Sequence, residues 1–285
     1  MLEFERRQLI VMGWKGVVYR ALNRPVMRPF LTTGVSAIGT IKTRQRCRVS
    51  FDQGAWIREY AGGTLVEPSL DLKTLADIEH ITYDYAMYQY VPAPGNIVLD
   101  IGAGTGWETL AFSKCVGVSG RVISIEAHPG TYRCLKEMCR RNGLENVTTL
   151  NCAATASEGD LHMTDNPLYV TNRIVADGGD IVVRGRTIAS IVEEFELPRV
   201  DLLKMNIEGA ERLAIEGLAG VIEKTRYVCI CCHDFLAAQG ASEEMRTKST
   251  IVEFLRSKGF ETFARELDSR PDVRDCVYGS NTALL

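Results

Sequence analysis

A chain of 285 residues with 46% hydrophobic and 24% charged residues can build a packed core, which excludes wholesale disorder. Its 33 Lys and Arg nearly balance 36 Asp and Glu, a net charge of -3, which excludes a generally basic nucleic-acid binder. No apolar run approaches the ~18 residues of a membrane-spanning helix, and Leu9–Met12 is too short for a signal-peptide core. The nine cysteines are odd in number and form no Cys-x-x-Cys pair, which points to reduced thiols and a cytoplasmic protein. Residues 1–60 hold 11 Lys and Arg against 4 Asp and Glu, a local net of +7 that leaves -10 to the rest. That part reads as a solvated basic face, with an anionic acceptor or acidic partner as the functional alternative.

In chain order, Gln8–Leu22 has the pattern of an amphipathic helix, which Pro25 and Pro29 close. Arg46–Tyr60 alternates around Asp52-Gln53-Gly54 and reads as a β-hairpin. Leu72–Tyr90 repeats Leu75, Ile78, Tyr85 and Tyr88 at helical spacing. Its tyrosines, Tyr83, Tyr85, Tyr88 and Tyr90, read as helix core or as a cover for a bound cation. Pro92-Ala93-Pro94-Gly95 punctuates the chain, and its character changes there.

Beyond Gly95 short apolar runs alternate with amphipathic stretches. Strands are expected over 96–101, 121–126, 147–152, 200–206 and 226–232, with helices over 107–115, 130–142, 187–196, 211–217 and 242–259. Strands over 260–264 and 277–284 close the chain, and 155–185 is patternless, a candidate wall of an acceptor pocket. The alternation specifies a parallel sheet covered by helices on both faces. Ligands of such sheets bind beyond the carboxyl ends of the strands, where the strand order switches.

The strongest motif is Val98-Leu99-Asp100-Ile101-Gly102-Ala103-Gly104-Thr105-Gly106, a strand running through three glycines into a helix. The GxGxG spacing fits a dinucleotide fingerprint poorly. Asp100 at the strand end would crowd a pyrophosphate but suits an ammonium, and S-adenosylmethionine (SAM) carries an ammonium and no phosphate. The candidate cofactor residues are Asp100, Gly102, Ala103, Gly104, Gly106, Glu126, Ala127, Cys152 and Ala153. Glu126, ending the next strand, can accept both ribose hydroxyls, and the small residues Cys152 and Ala153 leave room for adenine.

These residues, with Arg141-Asn142-Gly143-Leu144 and Asp201-Leu202-Leu203-Lys204-Met205-Asn206-Ile207-Glu208-Gly209-Ala210-Glu211, resemble the FkbM family of class I SAM-dependent methyltransferases. The last segment is similar to the family signature Asp-x-x-Lys-x-Asp-x-Glu-Gly-x-Glu, with Asn206 in place of its second Asp. The resemblance covers residues 80–285. It implies an α/β fold: a Rossmann-like sheet of seven mostly parallel strands with one antiparallel edge strand. It also implies SAM as donor and O-methylation of a sugar or polyketide-type hydroxyl in secondary metabolite biosynthesis. Residues 1–79 then form a small α/β extension, supplying acceptor contacts or self-association.

The candidate catalytic residues are His233, Glu208 and Asn206. His233 is the expected general base, oriented by Asp234 or Glu208; a structural strand-end histidine is the competing reading. No metal is assigned, although Asn206, His233 and Asp234 form a conceivable divalent site. The expected partner is a small hydroxylated acceptor, with neither nucleic acid nor a membrane span. A non-catalytic SAM-binding scaffold, an NAD-dependent oxidoreductase and an RNA methyltransferase are the rival functions.

Overall fold

The computed structural model describes residues 25–166, 171–175 and 178–285. The expected helix over Gln8–Leu22 lies outside them. The chain divides into two compact units, one ending at Ala76 and one comprising Asp77–Leu285.

In the first unit, helix α1 (Arg28–Thr43) packs beside a three-stranded antiparallel meander of β1 (Arg48–Asp52), β2 (Ala55–Tyr60) and β3 (Gly63–Glu67). Pro29 stands in the first turn of α1. There the missing N–H costs no hydrogen bond, so the proline that was expected to end a helix opens one. The hairpin register pairs Asp52 with Ala55, and Gln53 and Gly54 both have positive φ, as a two-residue type I′ loop requires. Cys47, Val49 and Trp56 form a small core with Leu31 and Val35 of the helix. Ser36 and Thr40 accept hydrogen bonds from the backbone N–H of Val49 and Cys47, fastening helix to strand. Arg58 and Glu67 form a fully buried ion pair between β2 and β3.

The boundary falls inside α2 (Leu75–Asp84). The second unit then alternates β4 (Ile97–Ile101), α3 (Trp107–Val116), β5 (Arg121–Ile125), α4 (Pro129–Asn142) and β6 (Val147–Leu150). A small sheet follows: β7 (Ala153–Ala154), β8 (Gly159–Met163), β9 (Ile174–Val175) and β10 (Ile181–Arg186), in the order β7-β10-β8-β9. The segment that read as patternless therefore holds strands, short ones whose exposed faces blur the alternation. The main series resumes with α5 (Ile188–Glu194), β11 (Val200–Met205), α6 (Glu211–Glu216), β12 (Thr225–Cys231) and α7 (Asp234–Ala238). It closes with α8 (Lys248–Ser257), β13 (Phe260–Ala264), α9 (Pro271–Arg274) and β14 (Cys276–Asn281).

Seven strands form the central sheet in the order β13-β14-β12-β11-β4-β5-β6. All pairings among β12, β11, β4, β5 and β6 are parallel. The single reversed strand, β14, lies between β12 and the edge strand β13. This is the order of a class I methyltransferase sheet. The central strands are buried throughout, which explains their near-continuous apolar sequences. One face packs Leu99, Ile101, Leu203 and Ile230 against α5, α6 and α8; the other packs Val98, Leu202 and Cys229 against Phe112 of α3. Strand order reverses between β4 and β11, so the crevice for a ligand opens at their carboxyl ends.

The four tyrosines do not cover that crevice. Tyr85 is buried with its carbonyl oxygen accepting from the Tyr278 hydroxyl, Tyr88 packs beside Tyr278, and Tyr90 stacks on Tyr227 with ring centroids 4.0 Å apart. These three are apolar cover for the sheet around β12 and β14, while Tyr83 is exposed and its hydroxyl lies 3.4 Å from Cys115 Sγ of α3.

Candidate active site at the β4–β11 switch

The strand register makes Asp100 of β4 the direct neighbour of Lys204 of β11 and of Ser124 of β5. Asp100 and Lys204 are both sealed from solvent, with Lys204 Nζ 3.0 Å from Asp100 Oδ1. The same ammonium donates to the Gly102 carbonyl at 2.9 Å, and the Thr109 hydroxyl donates to Asp100 Oδ2 at 2.6 Å. Burial alone would lower the Lys204 pKa, but the carboxylates of Asp100 and Glu108 outweigh it and raise it above the usual lysine value. Asp100 therefore does not present a free carboxylate to a ligand, as the sequence suggested. It is the buried counter-charge of a lysine that holds the first glycine of the loop.

That loop is shaped by close approach. Gly102 and Ala103 both donate backbone N–H to the Ile125 carbonyl at 2.9 Å. A Cβ on Gly102 would lie 1.9 Å from the Asn206 carbonyl oxygen, and one on Gly106 2.2 Å from Met138 Cε. Gly104, at the apex, faces open space. All three glycines have positive φ, the reason for their spacing.

Glu126 follows β5 and points at this apex. Its Oε2 accepts from Gly104 N at 2.9 Å, and its Oε1 accepts from His128 N at 2.8 Å. Burial pushes its carboxyl up to about 7, against the opposing pull of those two N–H groups. His128 caps α4 by accepting from Thr131 N, and its Nε2 lies 3.1 Å from Asp165. Asn151 Nδ2 donates to the carbonyls of Glu126 and Ala127 at 2.9 Å, tying the end of β6 to the end of β5. The Cys152 side chain belongs to the main core, whereas Ala153 joins Met163 and Val183 in the small sheet with Ala127 against them.

Asn206 ends β11, its N–H donating to the Ile101 carbonyl at 3.0 Å. Its side-chain Oδ1 is buried without a partner among the described residues. An acceptor stranded in this way marks a place where a ligand donor belongs.

The second cluster lies just beyond. Glu211, fully buried, opens α6, and its Oε1 is 3.0 Å from His233 Nδ1. Glu208 Oε1 is 3.4 Å from His233 Nε2. Burial would lower the histidine pKa, but the two flanking carboxylates outweigh it and hold the pKa well above the usual value. The flanking carboxylates favour the charged imidazole, with Nδ1 facing Glu211 and Nε2 facing Glu208. The charged form has no lone pair to spare, which weighs against the general-base role expected for His233. Asp234 does not orient it either: its Oδ1 accepts from Thr247 N and Lys248 N and caps α8. Among the described residues no group of three or more His, Cys, Asp or Glu side chains could hold a metal ion.

The sequence profile of the Methyltransferase FkbM domain matches residues 100–262 of this chain. The chain belongs to the FkbM methyltransferase family. The matched span runs from Asp100 to the last strand but one, through both clusters.

The FkbM chain is similar to a hexuronic acid methyltransferase, AglP, of Haloferax volcanii: 20% identical over 61% of this chain and 72% of that protein. It is 31% identical to a protein-L-isoaspartate O-methyltransferase of Methanococcus maripaludis over 30% of this chain, spanning 39% of that relative's length. A solved FkbM methyltransferase from Methylobacillus flagellatus aligns at 18% identity with a TM-score of 0.46, covering 66% of this chain and 48% of that one.

Lys204 and Glu211 are the working residues that sequence reasoning left without a role. Both stand in the Asp201–Glu211 signature, which was the available signal.

Proposed function

We propose that this chain methylates a hydroxyl group of a small acceptor, a sugar or a polyketide-type metabolite, with SAM as donor. The observation that carries the reading is the stranded Asn206 Oδ1 at the strand-order switch, beside a glycine apex open to solvent and backed by Glu126. Those groups fit SAM. Glu126 would accept the ribose hydroxyls, Asn206 would accept from the methionine ammonium, and the loop N–H groups would meet its carboxylate. Ala127 and Ala153 stand where an adenine edge would rest. When bound, SAM supplies a methyl group already activated by its sulfonium.

The chain's own task is then positioning, which by itself can supply much of a rate enhancement. The Lys204–Asp100 pair fixes the Gly102 carbonyl, and the Gly102–Asn206 contact fixes the two strand ends relative to each other. Resemblance to a hexuronic acid methyltransferase supports a sugar, and specifically an acidic one, as acceptor. A cytoplasmic setting is supported by nine free thiols, eight of them buried. Among the described residues no helix is long and apolar enough to cross a membrane.

The test is calorimetric titration with SAM, S-adenosylhomocysteine and NAD, followed by mass-spectrometric detection of methyl transfer to a panel of hexuronic acids, neutral glycosides and hydroxylated lactones. Binding of both adenosyl compounds but not NAD, with a methylated product, is the expected result. NAD binding alone would replace the reading with an oxidoreductase. SAM binding with no product across the panel would favour a non-catalytic binder.

A further inference from the structure

We infer that Glu208 is the group that takes the proton from the acceptor hydroxyl, and that His233, held in place by Glu211, aims it. The inference rests on the methyltransferase reading above and assigns its chemistry to residues.

Two carboxylates here share one imidazole, and they are not equivalent. Glu211 is sealed and saturated: it accepts from His233 Nδ1 at 3.0 Å, from Gly209 N at 3.2 Å and from the Thr247 hydroxyl at 3.1 Å. Glu208 has His233 Nε2 at 3.4 Å, and its side chain is 30% exposed. With His233 charged, the trio carries a net charge of -1, so it can accept one proton and become neutral. Only Glu208 has room to receive it.

The backbone supports the same assignment. Glu208 is one of four non-glycine residues with positive φ among the described residues, at 53°, and Gly209 follows at 93°. The left-handed region is strained for a residue that bears a side chain. The turn is fixed from outside, because a Cβ on Gly209 would lie 2.4 Å from Met245 Sδ. This turn places Glu208 two residues beyond Asn206, at the strand end where the cofactor groups converge.

Other charged groups around His233 are already engaged. Asp234 caps α8, and Asp275, preceding β14, accepts from Phe235 N at 2.7 Å. Burial pushes the Cys232 thiol up, so it is neutral. Arg246 pairs with Glu243.

In the transfer, the acceptor O–H bond breaks and its proton goes to a Glu208 carboxylate oxygen. The acceptor oxygen forms the new O–CH3 bond, the pair of the broken C–S bond stays on sulfur, and the sulfonium charge is lost. The trio passes from -1 to neutral. The assignment therefore selects acceptors with a proton to give up, hydroxyls above all. His233 is a positioning residue.

The experiment uses the full chain with Glu208→Gln, Glu208→Asp and His233→Gln, checked for folding by thermal melting and for SAM affinity by calorimetry. Histidine nitrogen NMR is tractable because the chain has four histidines, and the His233 signals are those missing in His233→Gln. His233 should stay doubly protonated at pH 8 in the parent chain. Glu208→Gln should lower kcat roughly a hundredfold or more on the panel acceptor, with SAM affinity within threefold, and Glu208→Asp should recover part of the loss. His233→Gln should lower kcat while KM and SAM affinity stay within threefold, as expected of a residue that aims the base and does not bind substrate. Glu208→Gln retaining kcat within threefold, or a neutral His233 at pH 7, would overturn the assignment. Failure to bind SAM, or SAM binding with no methylated hydroxyl on the panel, would instead sink the reading on which the assignment rests.

Discussion

Replacing Lys204 by Met is the most direct test of how the switch point is held. The side chain keeps its length and loses its charge, leaving Asp100 fully buried with the Thr109 hydroxyl as its remaining donor. Removing one partner of a buried pair costs about 3–5 kcal/mol, because the other charge is left without compensation. For a unit of roughly 200 residues each kcal/mol corresponds to about 2–4 °C, so Tm should fall by about 6–20 °C. The raised lysine pKa sets the conditions: the pair's contribution is complete below the unfolded lysine value and is lost only as pH rises through the still higher folded value. A measurement at pH 7.5 therefore sees all of it. Urea unfolding gives the free energy directly, provided the slope stays constant. The double variant Asp100→Leu/Lys204→Met removes both charges and should recover most of the loss. A single variant within about 1 kcal/mol of the parent would refute this, as would a double variant no better than the single.

Other consequences follow from the same geometry. Because burial raises the Glu126 carboxyl to about 7, its charged form is the one burial disfavours. The empty protein should lose stability as pH rises from the ordinary glutamate value toward 7. Ligand binding runs the other way: ribose hydroxyls need the carboxylate, so SAM affinity should be roughly tenfold weaker at pH 6 than at pH 8. Calorimetry would detect this, and the same pH dependence persisting in Glu126→Gln would contradict it. Gly102→Ala and Gly104→Ala should separate fold from site. The first forces a Cβ against the Asn206 carbonyl and should cost at least about 2 kcal/mol of stability. The second meets open space and should cost about 1 kcal/mol yet weaken SAM binding, since its methyl enters the cradle. In the N-terminal unit Glu67→Gln removes the buried counter-charge of Arg58 and should cost about 3–5 kcal/mol, read from unfolding of that unit.

The central sheet was legible because its signals are local. Ile97, Val98 and Leu99 form a continuous apolar run, and Glu126 lies at the end of the next strand, so strand, glycine loop and partner acid could be placed from spacing alone. What was missed depended on information the pattern does not hold. In β8 and β10 the inward positions include Gly159 and Gly185 while Val182 is exposed, so neither strand reads as a clean apolar face. The third strand of the N-terminal meander follows a two-residue turn at Ala61-Gly62, too brief to punctuate the sequence.

The chemistry of the site was less legible than its location, and for one reason. Charge state is a tertiary property. Asp100 read as a ligand-facing acid because Lys204, its neutralising partner, is 104 residues away and reaches it only through the strand register. His233 read as a base because it ends the strand after β11, with Asp234 or Glu208 as its expected partner, whereas Glu211, 22 positions before it, was not foreseen beside it. In both cases a titratable residue was placed at a strand end without the neighbour that governs its charge or its freedom. The signature segment supplies both neighbours at once. Lys204, Asn206, Glu208 and Glu211 leave β11 in succession, and each settles a different neighbour: Lys204 the Asp100 carboxylate, Asn206 the glycine loop, Glu208 and Glu211 the imidazole. The spacing of that segment is therefore a constraint on charge. A one-residue insertion between Lys204 and Glu211 should unlock the carboxylate cluster while leaving the β4–β11 pairing intact.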